Sequence, residues 1–171
     1  MFLARMIAST LTMTLHENFD TRNAYETAIN RVIQSAVKNV CIFDFNLADS
    51  GYNSPQRIQL LRNFLRLGST NRLAIILHET DYLTKYCPRM MNLLSQFSHA
   101  IRIEQTGNQP RQRQDSFVVA DSRHCVRRFH YDHFRGQMAW NDDAICISLV
   151  QQFDELDKNS DSVISATTLG L

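Results

Sequence analysis

No sign of charge dominates this chain: 18 basic side chains stand against 17 acidic ones, for a formal net charge of +1. That balance excludes the broad field that steers a protein toward nucleic acid or an anionic membrane, so any anion site has to be local. No CxxC pair and no framework spacing occurs among the four cysteines, Cys41, Cys87, Cys125 and Cys146. They read as free thiols in a reducing compartment. No apolar run approaches the roughly 18 residues of a membrane span, and Arg5, Thr10, Thr12 and Thr14 interrupt the apolar start of the chain. Neither export nor a membrane anchor is expected, and the expected location is the cytoplasm. Internal repeats and low-complexity segments are absent. What is present is 171 residues with 44% hydrophobic side chains, enough for one domain with its own core.

Hydrophobic periodicity orders that domain. Residues 1–19 read as a lead-in with a short alternating strand at 10–15, and residues 20–171 as the domain proper. Thr21 is placed to cap a helix running to about Val37, with Ala24, Ala28, Ile29, Val32, Ile33 and Ala36 on its buried face. A β-favouring run at 39–45 ends in Asp44, Asn46 and Asp49 before Gly51, a strand opening into a polar loop. Ser54 and Pro55 form a second helix start, with Ile58, Leu61 and Leu65 buried and Gly68 stopping it. The apolar run at 73–77 predicts a central strand delivering His78 at its end.

Pro88 starts a further helix carrying Met91, Leu94 and Phe97, followed by a strand at 100–104. After a loop at 107–114, two strands at 117–120 and 125–129 read as a hairpin turning at 121–123. A last helix should start near Asn141 or Asp142 and run to about Leu156, with Ile145, Leu149, Phe153 and Leu156 inward. The alternation of strands and helices predicts an α/β fold with its ligands at the carboxyl ends of the strands.

Four stretches carry a family likeness: DSGYN at 49–53, HETDYLTKYCPR at 78–89, RFHYDHFRG at 128–136 and TTLGL at 167–171. Together they resemble an uncharacterised bacterial domain family with a phospholipase D-like fold, sometimes found behind an acetyltransferase domain of the GNAT type. The resemblance covers residues 20–171 and implies an α/β sandwich with a mixed central sheet flanked by helices. Only about twenty residues precede the first helix, too few for an acetyltransferase domain, so a stand-alone form is expected, with an acetyltransferase as an implied partner. Phospholipase D-like enzymes use a His-x-Lys-x4-Asp signature, in which the histidine attacks phosphorus and the lysine stabilises the equatorial oxygens. Ending that register at Asp121 puts Gln114 at the histidine position and Ser116 at the lysine position. Glutamine cannot form a phosphohistidine and serine brings no charge to the developing anion. The resemblance also implies paired signatures, which a chain of this length could assemble only as a homodimer.

The expected site is the polar cluster at the strand ends: Asp44, Asn46, Asn53, Arg57, His78, Asp81 and Arg89. Arginine offers forked donors to phosphate or carboxylate, and histidine with aspartate can exchange protons near neutral pH. The structural alternative is that Asp44 and Asn46 cap loops, Asp81 caps a helix and the arginines are solvated. His130, Asp132, His133 and Arg135, with His124 and Cys125 nearby, form a second polar knot whose spacing fits no structural zinc pattern. His78 and Glu79 are adjacent, and adjacent strand side chains face opposite ways. Asp157, Asn159 and Asp161 imitate the opening of a calcium loop, but Ser162 and Thr168 stand where it needs glycine and glutamate. Arg111, Arg113, Arg123, Arg127 and Arg128 cluster with few stacking partners, and Trp140 reads as a core lid, so nucleic acid is not expected as a partner. The working expectation is a non-catalytic binding or interaction module for a small anionic or phosphorylated ligand, without metal or cofactor. Its rival is a phosphoryl-group or phosphodiester hydrolase in which His78 or His130 replaces the nucleophile and Asp81 orients it.

Overall fold

The computed structural model describes residues 13–107 and 113–164. Chain order is β1 (Leu15–Phe19), α1 (Arg22–Ser35), β2 (Asn39–Asp44), α2 (Pro55–Arg66), β3 (Arg72–Leu77), α3 (Asp81–Tyr86) and α4 (Pro88–Gln96). There follow β4 (Ile101–Thr106), β5 (Ser116–Ala120), β6 (His124–His130), β7 (His133–Trp140), α5 (Asp143–Asp157) and β8 (Ser160–Val163). All strands join one eight-stranded sheet in the order β1-β7-β6-β5-β2-β3-β4-β8. Strands β2, β3 and β4 run parallel, and the remaining pairings are antiparallel. This is the mixed sheet with flanking helices that the resemblance implies.

Strand alternation divides the core in two. Val40, Ile42, Ile75, Ile103 and Val126 face α1, α2 and α4, whereas Phe43, Ile76, Phe117 and Val119 face Cys146, Leu149 and Phe153 of α5. The capping chemistry read from sequence positions the helices: Thr21 Oγ1 accepts from Ala24 N–H at 3.2 Å, and Ser54 Oγ from Arg57 N–H at 3.2 Å. Asp142 does the same for α5 through Ile145 N–H at 3.0 Å, and that bond, with His16 beside it, holds its carboxyl below the usual carboxylate range.

Three elements depart from the sequence reading. The first strand lies at Leu15–Phe19 instead of 10–15, and residues 10–12 fall outside the described residues. Short α3 and strand β7 have no clear periodic signal. β7 (HFRGQMAW) contains arginine, glycine and glutamine, and it is a strand because β6 and β1 pair with it on either side. Gly136 allows that sandwich: a Cβ there would stand 2.2 Å from the Arg127 carbonyl oxygen and 2.4 Å from Phe19 Cζ.

The β5–β6 hairpin turns on Asp121 and Ser122, both at positive φ (52° and 55°), the requirement of a two-residue type I′ turn. At the same end His124 stacks on Trp140 with 3.8 Å between ring centres, and its Nδ1 accepts from Asn141 N–H at 3.1 Å. Only an unprotonated Nδ1 can accept that bond, and burial, then the nearby Arg123 charge, lowers the His124 pKa. The unfolded chain therefore takes up the proton first as pH falls through the ordinary histidine range, and stability should decrease in that window. Urea titrations at pH 7.5 and 5.5 check this: His124→Gln should show a smaller loss between the two than the parent chain.

Candidate functional site

The sheet brings the carboxyl ends of β2, β3 and β4 together with the start of β5 and the end of β6. Asp44 closes β2 there at 4% exposure. Its Oδ1 accepts from Phe45 N–H (2.7 Å) and from the Ser116 hydroxyl (2.8 Å), and its Oδ2 from the Ser50 hydroxyl (2.5 Å). A buried carboxylate held by three donors is fully satisfied by the protein itself. The loop that brings Ser50 back carries Leu47 at φ 70°, a strained position for a leucine, held because its side chain is buried. Asn46 makes the turn locally, its Oδ1 accepting from Ala48 N–H at 3.0 Å.

Arg57 lies behind this group, at 1% exposure. Its Nε donates to Asn30 Oδ1 (2.6 Å), Nη1 to the Ser50 carbonyl (3.0 Å) and Nη2 to the Glu26 carbonyl (3.1 Å), with the guanidinium 4.7 Å from the Tyr52 ring centre. Burial lowers its proton affinity and raises the pKa values of the Tyr25 and Tyr52 phenols around it. Arg57 thus braces α1, α2 and the 46–54 loop, and its forked donors face protein acceptors.

His78 points to the other face of the sheet, 5% exposed, edge-on to Phe43 and Phe45. Its Nε2 stands 3.0 Å from the Arg113 carbonyl and its Nδ1 2.8 Å from the Thr106 hydroxyl. A carbonyl only accepts, so Nε2 carries the proton and Nδ1 faces the hydroxyl. Asp81 is instead an exposed residue paired with Lys85 at 2.7 Å, one turn along α3. Arg89 is exposed on the first turn of α4, where Asn53 holds it: Asn53 Oδ1 accepts from Arg89 N–H (3.1 Å) and the Asn53 carbonyl from Nη1 (3.3 Å). The seven residues expected to form one cleft accordingly fall into separate groups: Asp44 with Asn46 and, through Ser50, Arg57; His78; Asp81; and Asn53 with Arg89.

The signature register resolves into two structural roles. Asp121 accepts from three successive backbone N–H groups, Val37, Lys38 and Asn39, at 2.6, 2.8 and 2.8 Å, tying the hairpin turn to the start of β2. Ser116, at the lysine position, is 1% exposed and bonded to Asp44. Gln114 is exposed, and its carbonyl accepts from Tyr131 N–H at 2.8 Å.

The β6–β7 tip is braced from beneath by Arg128, which is 2% exposed and donates to the carbonyls of His133 (2.8 Å) and Tyr131. His130 Nδ1 accepts from Asp132 N–H at 3.1 Å, which leaves the proton of its neutral ring on Nε2. Arg113 and Arg127 converge on Asp115, a buried carboxylate: Arg113 by two bonds of 3.0 and 2.7 Å, Arg127 by one of 3.0 Å. Asp115 and Ser50 are the residues that sequence reasoning missed; the alternation Arg113-x-Asp115 entering a strand was the available signal. Among the described residues no three His, Cys, Asp or Glu side chains are placed to share a metal ion. Asp157 pairs with Arg102, and Asn159 donates back to the Glu155 carbonyl at 2.7 Å. The side chain of Asp161 and the loop containing Arg111 lie outside the described residues.

Comparison with solved structures gives the fold its setting. A phospholipase D family member, Nuc from Salmonella typhimurium, superposes with a TM-score of 0.65 at 13% identity, covering 90% of this chain and 99% of that one. NucT from Helicobacter pylori gives 0.60 at 10% identity, over 86% and 98%. TrmBL2, an archaeal chromatin protein with a DNA-binding mode described as novel, gives 0.65 at 8% identity, over 91% of this chain and 56% of that one. At such identities the likeness establishes the phospholipase D-like fold alone. No curated protein matches the sequence. Residues 21–166 match the model of a family described as a domain of unknown function, DUF7931. Among the described residues no helix is long and apolar enough to cross a membrane.

Proposed function

The chain belongs to the DUF7931 family, and we propose that it is a phospholipase D-like domain without the phosphoryl-transfer reaction, binding a phosphorylated or other small anionic ligand at the carboxyl ends of its strands. The loss of chemistry rests on one observation: the residue in the lysine position, Ser116, is buried and donates to Asp44, while Gln114 occupies the histidine position. Neither histidine put forward as a substitute offers a free basic nitrogen. His78 presents Nε2–H to a carbonyl and Nδ1 to a hydroxyl, and His130 uses its Nδ1 as an acceptor within its own turn.

Arg89 supports the binding half of the reading. It is exposed, its backbone N–H and one guanidinium nitrogen are fixed by Asn53, and it sits in the first turn of α4, where the helix dipole favours an anion. Asn53 orients the arginine, and the remaining guanidinium donors are left for the ligand. The intact chain should hydrolyse no bis(p-nitrophenyl) phosphate. Titration calorimetry with inorganic phosphate or pyrophosphate should show binding that Arg89→Ala weakens about tenfold or more, the worth of one charge-assisted hydrogen bond. Unchanged affinity in that variant removes Arg89 from the site, and turnover of the diester by the parent chain overturns the non-catalytic reading.

A further inference from the structure

Helix α5 packs on β2 to β6, and beside it the same face of the sheet continues over β6, β7 and β1. Two cavities lie there. One, of about 370 Å³, is bounded by Arg127, Phe129 and Gln137 with Ser148 of α5. The other, of about 410 Å³, is bounded by Phe129, Arg135, Asn18 and Asp20. Phe129 is the wall between them, and it is 49% exposed.

We infer that this trough binds single-stranded nucleic acid, with a base stacked on Phe129 and the phosphodiester backbone held by Arg127 and Arg135. Each part of such a site is in place. Phe129 stands on a strand in the middle of the face, where a flat ring is presented outward, the arrangement that lets a sheet stack unpaired bases. Arg127 is two residues along the same strand, so it projects from the same face about 7 Å away. Arg135 lies on the neighbouring strand, where β6 and β7 are in register from Arg128↔Gly136 inward. It is exposed and makes no ion pair among the described residues. Arg127 gives one donor to Asp115 and, with its side chain 44% exposed, keeps the rest of its fork toward solvent. Between them Gln137 donates to Asn18 Oδ1 at 3.0 Å, a pair of amides able to meet base edges. The wall supplied by α5 is uncharged along the trough, formed by Ala144, Ile145, Ser148, Leu149 and Gln152. Asp20 is the one carboxylate on the rim.

The charge of the trough complements a phosphate chain, and its exposed aromatic ring complements a base; a folded protein partner would need neither in this order. Net charge conceals it, because the two arginines concern one face only. The inference uses a different surface from the Arg89 site and does not depend on it.

Fluorescence anisotropy with a labelled oligothymidylate tests it on the intact chain. Binding is expected at about 50 mM salt and should weaken steeply as salt is raised. Phe129→Ala should lose about tenfold in affinity, Phe129→Tyr should retain it, and Arg135→Gln should flatten the log-log salt dependence by about 0.7. Phe129→Ala should also bind phosphate as the parent chain does, so failure here is separable from failure at Arg89. Absence of oligonucleotide binding by the parent chain overturns the inference. So does equal affinity in Phe129→Ala, or a dimer in sedimentation that this substitution dissociates, since the ring would then be covered by a second copy.

Discussion

Arg57→Ala is expected to lower the unfolding free energy by roughly 4 kcal/mol, the upper part of the range for single substitutions. The substitution removes a side chain that is 1% exposed and strands the acceptors it satisfies: Asn30 Oδ1 and the Ser50 and Glu26 carbonyls. Each buried acceptor left unpaired costs about 1–3 kcal/mol, and the vacated volume beside Tyr52 adds a cavity term. Arg57→Met separates the two, because it refills the space without restoring the bonds, and should recover only the smaller part. Urea denaturation measures both. Because the guanidinium is enclosed by protein acceptors, phosphate affinity per folded molecule should match the parent chain. A variant as stable as the parent but defective in anion binding would return Arg57 to the ligand site.

Gly136→Ala should be worse than its size suggests, costing about 3 kcal/mol or more. The added methyl would meet the Arg127 carbonyl at 2.2 Å and the Phe19 ring at 2.4 Å. The first is backbone in the middle of the β6–β7 ladder, so relief requires the strands to part, and the second belongs to β1, so the edge strand is pushed off as well. A thermal midpoint lower by roughly 6–12 °C is expected for a chain of this length. Gly68→Ala is the control: its methyl would approach the Asn71 side-chain oxygen at 3.0 Å, a contact a rotation can ease, and the loss should be smaller. Equal effects in the two would show that the β1–β7–β6 contact can be repacked.

Much of the architecture was legible because its signals are local. Thr21, Ser54 and Pro55 announce helix starts through bonds to residues three positions away, and the run at 73–77 announces a central strand by composition. The turn at Asp121 and Ser122 is equally local, and it was placed correctly. Strand β7 was not legible, since nothing in HFRGQMAW marks a strand until β6 and β1 lie on either side. The site was less legible still. Asp44 was picked out as a polar residue at a strand end, but its partner Ser116 is 72 residues away, and the carbonyl that engages His78 is 35 residues away. Residue type shows that such groups are able to do chemistry. Only the pairings show that Arg57, Asp44 and His78 are already engaged within the protein, while Arg89 keeps donors toward solvent.

The pairing of Phe19 with Gly136 also has a consequence in time. During synthesis the N-terminal strand leaves the ribosome long before the hairpin it must join, and at about 5–20 residues per second the 117 residues between them take roughly 6–25 s to emerge. Throughout that interval Leu15–Phe19 has no ladder to enter, and α1, which packs against β5, β6 and β7, has no complete floor. The first strand made is the last that can be placed, so nascent chains should remain open to proteases at their N-terminus until the C-terminal third has been translated.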